Sequence, residues 1–360
     1  MRLTHYSNAA ITRIQATLLV TVIVVAVAAG GLFYYYSTLK RERPFITFAT
    51  WGGPYTDAFN STIASFEKEY GVDVHIYTQA ASKETVAKVR AEKGSPSIDL
   101  FYGGADAGIL GADEGLFVNL TEGMVPNLRQ IDEKQLIKNY PSIVPYDVLA
   151  HGWYSRPDLI PSDFQFNGTW QWFFDPRLKG KIAVPTPMIT VFIEWASIVA
   201  GDYYNYQAGF ELIKKLAPNI KVVYSSTPEV EGLLARGEVW VANGMYADAM
   251  DLYSKGTPVQ TLKFYPLITV ADSMMVVKGG KEDLAMKFLN YILDPNRQAT
   301  ICNYMGVTPT NKNSPPPPAE LEPFSATPLS LAYPEDLVFL AAHYDEWIEL
   351  WNRGITPLLP

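Results

Sequence analysis

The chain changes its hydrophobic period repeatedly, from the alternation typical of strands to the three-to-four-residue spacing typical of helices. After residue 44 the change follows the order strand, helix, strand, helix, strand. The predicted elements span 45–50, 59–70, 72–76, 82–93 and 98–102. Strands that alternate with helices in this way predict a mainly parallel sheet with helices on its faces.

A second block of the same kind begins near Trp170. Within it, Thr227-Pro228-Glu229 has the features of a helix start, because threonine caps a first turn, proline suits its first position and the helix dipole favours an acid. The predicted strands span 181–184, 220–224 and 239–242, and the predicted helices span 210–216, 227–236 and 284–292. Two such blocks joined by an extended stretch predict two lobes with a cleft between them.

The loops after the predicted strands are rich in small, polar and aromatic residues. In open parallel sheets, ligands meet the loops at the carboxyl ends of the strands. The candidate ligand-binding loops are therefore those at 51–55, 103–106, 186–190, 225–227 and 243–244.

The N-terminal segment carries no charged residue from Ile14 to Tyr36. About twenty apolar residues, at ~1.5 Å rise each, cross a ~30 Å hydrocarbon core. Tyr34–Tyr36 stand where aromatic rings favour the membrane interface, and basic residues flank the run at Arg2, Arg13, Lys40, Arg41 and Arg43. We predict an uncleaved transmembrane anchor over a cleaved signal peptide, because the run exceeds the ~7–15 apolar residues of a signal core.

The composition argues against several classes of function. The net charge is −8 over 360 residues, whereas nucleic-acid binding needs clustered Lys and Arg. Cys302 is the single cysteine, so no intramolecular disulfide or cysteine metal cluster can form. No zinc-ligand spacing, nucleophile elbow or phosphate loop is present, and we interpret Asp248 with Asp251 as a solvated helix face. Nothing in these patterns supports catalysis, and we predict no enzyme, catalytic residue, cofactor or metal.

Three runs of residues carry information beyond their periodicity. They are Trp170 with DPRLKGKIAVP at 175–185, AMKFLNYILDP at 285–295 followed by Gln298, Gly306, Pro309 and Asn311, and ADSMMVV at 271–277. TWGGPY at 50–55 precedes them. Together they resemble the extracellular solute-binding proteins of the spermidine/putrescine-type group, and the likeness extends from about Phe45 to Asn311.

The resemblance implies an α/β chain with the two-lobed type II periplasmic-binding-protein-like fold, here with an N-terminal transmembrane helix. With the predicted elements, it divides the chain into a membrane segment at 1–43, lobe 1 at 44–150 plus 270–311, and lobe 2 at 151–269. A proline-rich strap and a C-terminal helix at 312–360 are expected to pack on a lobe.

The resemblance also implies the substrate-binding subunit of an ABC importer, which works with a permease and an ATPase at the cell surface or the periplasmic side of the membrane. We expect a monomer that clamps a small amine-containing solute between aromatic rings and carboxylates. Trp51 and Tyr55 occupy aromatic positions of the family, and Asp272 occupies that of an amine-binding carboxylate. The predicted ligand-binding residues are Trp51, Gly52, Gly53, Tyr55, Gly104, Asp106, Thr190, Ser225, Asn243 and Asp272.

The chain departs from polyamine binders at 185–190, which lacks their acidic residues, and at Ala242 and Val270, where they have aromatics. These differences favour a smaller amine or an amino-acid-like zwitterion, whose carboxylate the helix start at Ser225 could hold. Two alternatives stay open. One is a ferric-ion or anion binder of the same fold, which would use Tyr203 and Tyr204. The other is a membrane-tethered enzyme, for which Cys302 and His151 are the candidate reactive groups.

Overall fold

The structure, a computed structural model, describes residues 13–38, 43–186, 188–263 and 267–359. The chain divides into two units, Met1–Pro44 and Phe45–Pro360. Several residues named in the sequence analysis lie outside the described part: Arg2, Lys40, Arg41, Pro187 and the side chains of Tyr34–Tyr36.

The first unit contains α1, Arg13–Thr38. Among the described residues this is the one helix long and apolar enough to cross a membrane, and its most apolar window is Gln15–Leu32. A signal sequence near the N-terminus passes the same test of length and composition. The helix is therefore a candidate for the predicted anchor and equally for a signal.

The second unit alternates strands and helices. Its described strands are β1 Phe45–Trp51, β2 Asp73–Gln79, β3 Leu100–Gly104, β4 Val144–Ser155, β5 Ile182–Pro185, β6 Ile220–Tyr224, β7 Val241–Met245, β8 Gln260–Leu262, β9 Leu267–Val276, β10 Thr308–Pro309 and β11 Ala332–Pro334. Its described α-helices are α2 Pro54–Tyr70, α3 Ser82–Ala91, α4 Ala105–Asp113, α5 Ile189–Val199, α6 Tyr206–Leu216, α7 Thr227–Ala235, α8 Tyr246–Ser254, α9 Glu282–Ile292, α10 Pro295–Met305 and α11 Leu337–Gly354.

The helix ends have local causes. At the start of α2, Gly53 adopts a φ of 63° and Pro54 takes the first helical position, whereas Gly71 ends the helix at a φ of 67°. At α10, the Asp294 side chain accepts hydrogen bonds from the first turn, and Gly306 ends the helix at a φ of 72°. Glycine suits such left-handed positions because it lacks a Cβ. These helix ends set the direction of the two adjacent loops, which span 51–55 and 306–311.

The described strands form one sheet in the order β2-β1-β3-β9-β4-β7-β5-β6, with β8 and β10 on β4 and β11 on β9. The pairs β2-β1-β3 and β7-β5-β6 are parallel. The pairs made by β9 with β3 and β4, and by β4 with β7, are antiparallel. Two parallel groups therefore flank a central antiparallel pair, which gives the two-lobed architecture that the sequence predicts.

The central pair, β4 with β9, belongs to both lobes. Its register extends from Val144 opposite Met274 to His151 opposite Ile268, with an irregularity between Pro145 and Asp147. Hydrophobic clusters cover both faces of the sheet in each lobe. The predicted lobe borders at 150 and 269 stay a prediction, because they cut through or abut strands that the lobes share.

The C-terminal segment crosses the second lobe and returns to the sheet. Phe324 packs in the cluster formed with α7 and α8, and β11 then pairs in parallel with the start of β9. Next, α11 buries Trp347 and Trp351 against α5 and α6. The Lys134 Nζ of the first lobe donates to the Ser330 carbonyl at 2.8 Å, so the segment contacts both lobes.

The anchoring of α11 leads to a stability prediction. Trp347 is fully buried, so Trp347→Ala should lower the free energy of unfolding by about 3–5 kcal/mol through lost burial and a cavity. Tyr344 on the same helix is exposed, and Tyr344→Ala should cost less than about 0.5 kcal/mol. Urea unfolding of the full chain in detergent, followed by tryptophan fluorescence, measures both. Equal losses would contradict the packing described here.

Candidate functional site

Two aspartates lie side by side where the crossing strands enter the first lobe. Asp147 on β4 is the register partner of Asp272 on β9, and Gly104 at the end of β3 is the partner of Asp272 on its other side. Directly opposed residues of an antiparallel pair place their side chains on the same face. Asp147 is fully buried and Asp272 is 8% exposed, so the register brings two buried carboxyl groups together.

The pair has few hydrogen-bond partners. The Tyr102 hydroxyl donates to Asp147 Oδ2 at 2.5 Å, whereas the buried Asp147 Oδ1 has no partner among the described residues. Within the described ranges, no lysine, arginine or histidine nitrogen lies within 4.0 Å of either carboxylate. Buried carboxyl groups are ordinarily paired with a cation or fully hydrogen-bonded, and this pair is neither.

Burial controls the protonation of the pair. It raises the pKa of Asp272 to about 7, with a further contribution from the charge of Asp106. The pKa of Asp147 is raised well above its ordinary value, first by burial and then by the charge of Asp272. Two carboxyl groups this close resist carrying two charges in a low-dielectric site. Near neutral pH the pair therefore retains a proton.

Aromatic rings form a wall over the aspartates. Trp51 ends β1, and its ring centroid lies 5.0 Å from that of Tyr55 and 5.1 Å from that of Tyr102. Burial raises the pKa of Tyr55, and the charges of Asp272, Asp147 and Asp248 raise it further. Tyr55 therefore faces acids from both lobes, since Asp248 belongs to α8 of the second lobe.

The second lobe contributes a third acid to the site, whereas Asn243 stands opposite Trp153, six residues or about 20 Å along β4 from Asp147. Asn243 on β7 is fully buried, and neither atom of its amide has a partner among the described residues. Asp248 is partly buried and accepts a hydrogen bond from the Thr227 hydroxyl at 3.1 Å, and burial raises its pKa to about 6. The interpretation of Asp248 as part of a solvated face is wrong, although Asp251 does pair with Lys255 at 2.5 Å.

Of the predicted ligand-binding residues, Trp51, Tyr55, Gly104 and Asp272 come together around the pair. Gly52 is close to Thr78, whose Cγ2 would lie 3.0 Å from an added Cβ, and Gly53 is exposed at a φ of 63°. Such crowding and such a dihedral both suit glycine. The two glycines therefore shape the loop that carries Trp51 and Tyr55.

Three predicted residues have other surroundings. Asp106 is exposed and lies 3.4 Å from Lys83, yet its charge acts on Asp272. Thr190 is buried in the first turn of α5. Ser225 is exposed, and its N–H and hydroxyl each donate to Glu229 at 2.8 Å. The N–H and hydroxyl of Ser225, the predicted site for a ligand carboxylate, are therefore already bonded to Glu229 of α7.

Sequence reasoning missed Asp147 and Tyr102. The available signal for Asp147 was a single acid inside the apolar stretch 143–150, because charged residues are almost never fully buried without a purpose. Tyr102 belonged to a predicted strand, and nothing in the pattern marked its hydroxyl as a partner of an acid on another strand.

The residues of the two alternatives lie in other environments. Tyr203 is buried, and its hydroxyl donates to Glu194 at 2.7 Å, whereas the exposed Tyr204 donates to Asp336 at 3.2 Å. Cys302 and His151 are both buried. Among the described residues, no group of three or more His, Cys, Asp and Glu side chains could hold a metal ion.

The aspartate pair leads to a prediction about stability and pH. The folded pKa of Asp272 lies above its unfolded value, so the unfolded chain loses this proton first as pH rises. The unfolding free energy should therefore fall between about pH 4 and 7, by at most about 1.4 kcal/mol per pH unit for this group. Asp272→Asn should flatten the fall, and Asp283→Asn, at an exposed site, should not. Urea midpoints at about pH 5 and pH 8 test this, and parallel profiles would refute it.

Solved structures share the fold of this chain. An ABC transporter structure from Clostridium perfringens has a TM-score of 0.75 at 23% identity and covers 86% of this chain and 100% of its own. The spermidine/putrescine substrate-binding protein PotD from Streptococcus pneumoniae has a TM-score of 0.70 at 16% identity, with 85% and 98% covered. A GABA receptor has a TM-score of 0.69 at 21% identity, with 85% and 96% covered. At these identities the likeness establishes the fold.

Sequence comparison adds the family. A curated relative from Haemophilus influenzae, described as an uncharacterized protein, is 25% identical over 207 residues, or 56% of this chain. The chain spans 58% of the length of that relative. The model of the family described as "Bacterial extracellular solute-binding protein" matches residues 61–329, well over half of the chain. The fold, the cleft and this match together establish that the chain belongs to the bacterial extracellular solute-binding protein family.

Proposed function

We propose that this chain is the extracytoplasmic substrate-binding subunit of an ABC importer, which captures a small amine-containing solute between its lobes and delivers it to a permease. One observation carries the proposal: Asp147 and Asp272 are buried side by side without a cation from the described residues. Ionising such a pair is costly. An ammonium group would supply both the missing positive charge and the missing donors.

The aromatic wall supports the same ligand chemistry. An ammonium over the face of tryptophan or tyrosine gains about 0.5–2 kcal/mol, and a hydrogen bond to a charged group contributes about 1.5–3 kcal/mol. Trp51, Tyr55 and Tyr102 stand next to the carboxyl pair. Their rings would cover the carbon chain of an amine whose charged end meets the acids.

The second lobe favours a plain amine over an amino-acid-like zwitterion. Its contribution near the pair is the acidic Asp248, whose charge acts on Tyr55, and Ser225 is already engaged by Glu229. A ligand carboxylate would meet acids without an evident cationic partner. Proteins of the same fold include a spermidine/putrescine-binding protein and a GABA receptor. The acids around the pair suit the ligands of the first protein better than that of the second.

The remaining parts of the proposal follow from family membership. The binding unit would act outside the cytoplasm as a monomer, held by α1 or released after cleavage, with a permease and an ATPase as partners. The proposed ligand contacts are Trp51, Tyr55, Tyr102, Asp147 and Asp272. Gly52, Gly53, Gly104, Asp106 and Thr190 would line the cleft, and Asn243 would lie farther along it in the second lobe. The lobes would be 44–150 with 270–311, and 151–269, with 312–360 as their strap.

A binding experiment tests the proposal. Putrescine, spermidine and simple monoamines should raise the melting temperature of the full chain in detergent. At a ligand concentration of one hundred times Kd, binding should add about 2.7 kcal/mol to the free energy of unfolding. Asp272→Asn or Asp147→Asn should weaken binding about 10- to 100-fold, because each removes a charge-assisted contact of about 1.5–3 kcal/mol. Asp283→Asn on the exposed face of α9 is the matched control and should leave Kd unchanged.

The pH dependence of binding gives an independent check. A cation favours the deprotonated pair, and the pKa of Asp272 is about 7, so affinity should rise between about pH 6 and 8 with release of a proton. Calorimetry in buffers of different ionisation enthalpy measures that proton. Proton uptake on binding, or an amine screen without any thermal shift, would overturn the proposal.

A further inference from the structure

A second pair of carboxyl groups lies where α5 meets the C-terminal segment. Glu194 on α5 is fully buried, and Glu335 directly follows β11. The Tyr203 hydroxyl donates to Glu194 Oε1 at 2.7 Å and accepts from the Asp336 N–H at 2.8 Å. The Glu335 N–H donates to the Thr269 carbonyl at 3.1 Å. These bonds hold residues 335–336 between α5 and β9.

The strand register places this pair near the first one. Pro334 of β11 is the parallel partner of Thr269, and the Glu335 N–H bond continues that ladder, so Glu335 stands beside Val270. Side chains alternate between faces along a strand, so Glu335 shares the face of Val270 and Asp272. Diagonal neighbours on one face lie about 7–8 Å apart. Glu335 and Asp272 are therefore diagonal neighbours on this face of the sheet.

The second pair also lacks partners. Glu194 Oε2 is buried and has no hydrogen-bond partner among the described residues. In the same part of the chain, no basic side chain lies within 4.0 Å of Glu194 or Glu335. Burial and then the charge of Glu335 raise the pKa of Glu194, whereas burial and then the charge of Asp106 raise the pKa of Glu335 to about 8. Asp106 acts on Asp272 as well, so it lies within electrostatic reach of both pairs.

The Tyr203 hydrogen bonds have a structural role, because they hold the C-terminal segment to α5, but this role explains only part of the carboxyl pair. The Tyr203 hydroxyl uses one oxygen of Glu194 and one backbone N–H of the segment. A glutamine at 194 could accept the same bond. These bonds leave Glu194 Oε2 without a partner, although burying an unpaired carboxyl oxygen is costly. They do not involve the side chain of the partly exposed Glu335.

Space for a ligand exists next to Glu335. A cavity of about 240 Å³ is lined by Glu335, Tyr333 and Tyr204, among others. Lys134 and Lys138 also line it, but both are exposed, and Lys134 donates to the Ser330 carbonyl at 2.8 Å. The cavity reaches Glu335. On β9 it is lined by Thr269 and Ala271, which alternate with Val270 and Asp272, and neither Glu194 nor Asp272 lines it.

We propose that Glu194 and Glu335 form a second subsite for an alkylammonium group, assembled by α5 and the C-terminal segment beside the Asp147–Asp272 pair. The inference rests on the proposed function for the identity of the ligand class. The ammonium is either the far end of a diamine that spans both pairs or a separate monoamine. In both cases the same carboxyl pair binds it.

Titration calorimetry with two probes, 1-butylamine and 1,4-diaminobutane, tests the subsite on the full chain in detergent. A spanning diamine should bind as one molecule per chain, and Glu335→Gln should weaken it about tenfold while the affinity for 1-butylamine changes less than twofold. If separate monoamines bind, 1-butylamine should bind at two molecules per chain, and Glu335→Gln should remove one. Glu194→Gln should act in the same way. Glu349→Gln, an exposed acid on α11, is the matched control and should change neither titration.

The result that overturns the subsite is unchanged affinity and stoichiometry, within twofold, for both probes in Glu335→Gln and Glu194→Gln. Glu335 is partly exposed, so its variant keeps the test valid if the buried Glu194→Gln fails to fold. Weakening by Asp272→Asn but not by Glu335→Gln would reject the subsite alone. A binding event lost in Glu335→Gln but kept in Asp272→Asn would support the subsite and remove the main support for the proposed function. No binding of either probe to the wild type would reject both.

Discussion

The antiparallel pairing of β4 with β9 is the constraint on which the rest of the structure depends. Each strand begins in one lobe and ends in the other, so the same hydrogen-bonded ladder joins two parallel sheets and forms the floor between them. That ladder also opposes Asp147 to Asp272. A shift of register by one residue would turn one aspartate to the other face, and the buried carboxyl pair would no longer exist.

The electrostatics of the cleft follow from this pairing. Asp147 and Asp272 lie in its floor and Asp248 of α8 acts on Tyr55 beside them, whereas Glu194 and Glu335 lie where α5 meets the C-terminal segment. Burial raises the pKa of each of these five groups. Such a cleft stores protons when it is empty and gains charge complementarity when a cation enters. Its selectivity would therefore depend on charge as well as on shape.

The C-terminal segment is part of the binding unit. It pairs with β9 through β11, contacts the first lobe at Lys134, and anchors α11 in the core of the second lobe. Tyr203, which the sequence linked with iron, instead holds this segment to α5. The residues that an alternative function required therefore have a role in assembling the cleft, and the segment places an acid beside it.

Local pattern was enough to predict the strands and helices on either side of the cleft, because period, caps and helix-ending glycines act within a few residues: β6 matches its prediction to the residue, and β3 begins two residues later than expected. The residue runs that resemble the solute-binding family, together with the loops at strand ends, predicted Trp51, Tyr55 and Asp272 as site residues. Asp147, Tyr102, Asp248 and the Glu194–Glu335 pair needed the tertiary structure, since their significance depends on which distant strand or helix each one faces. Sequence by itself determined the elements and the family, whereas pairing over more than a hundred residues decided which acids share a buried site.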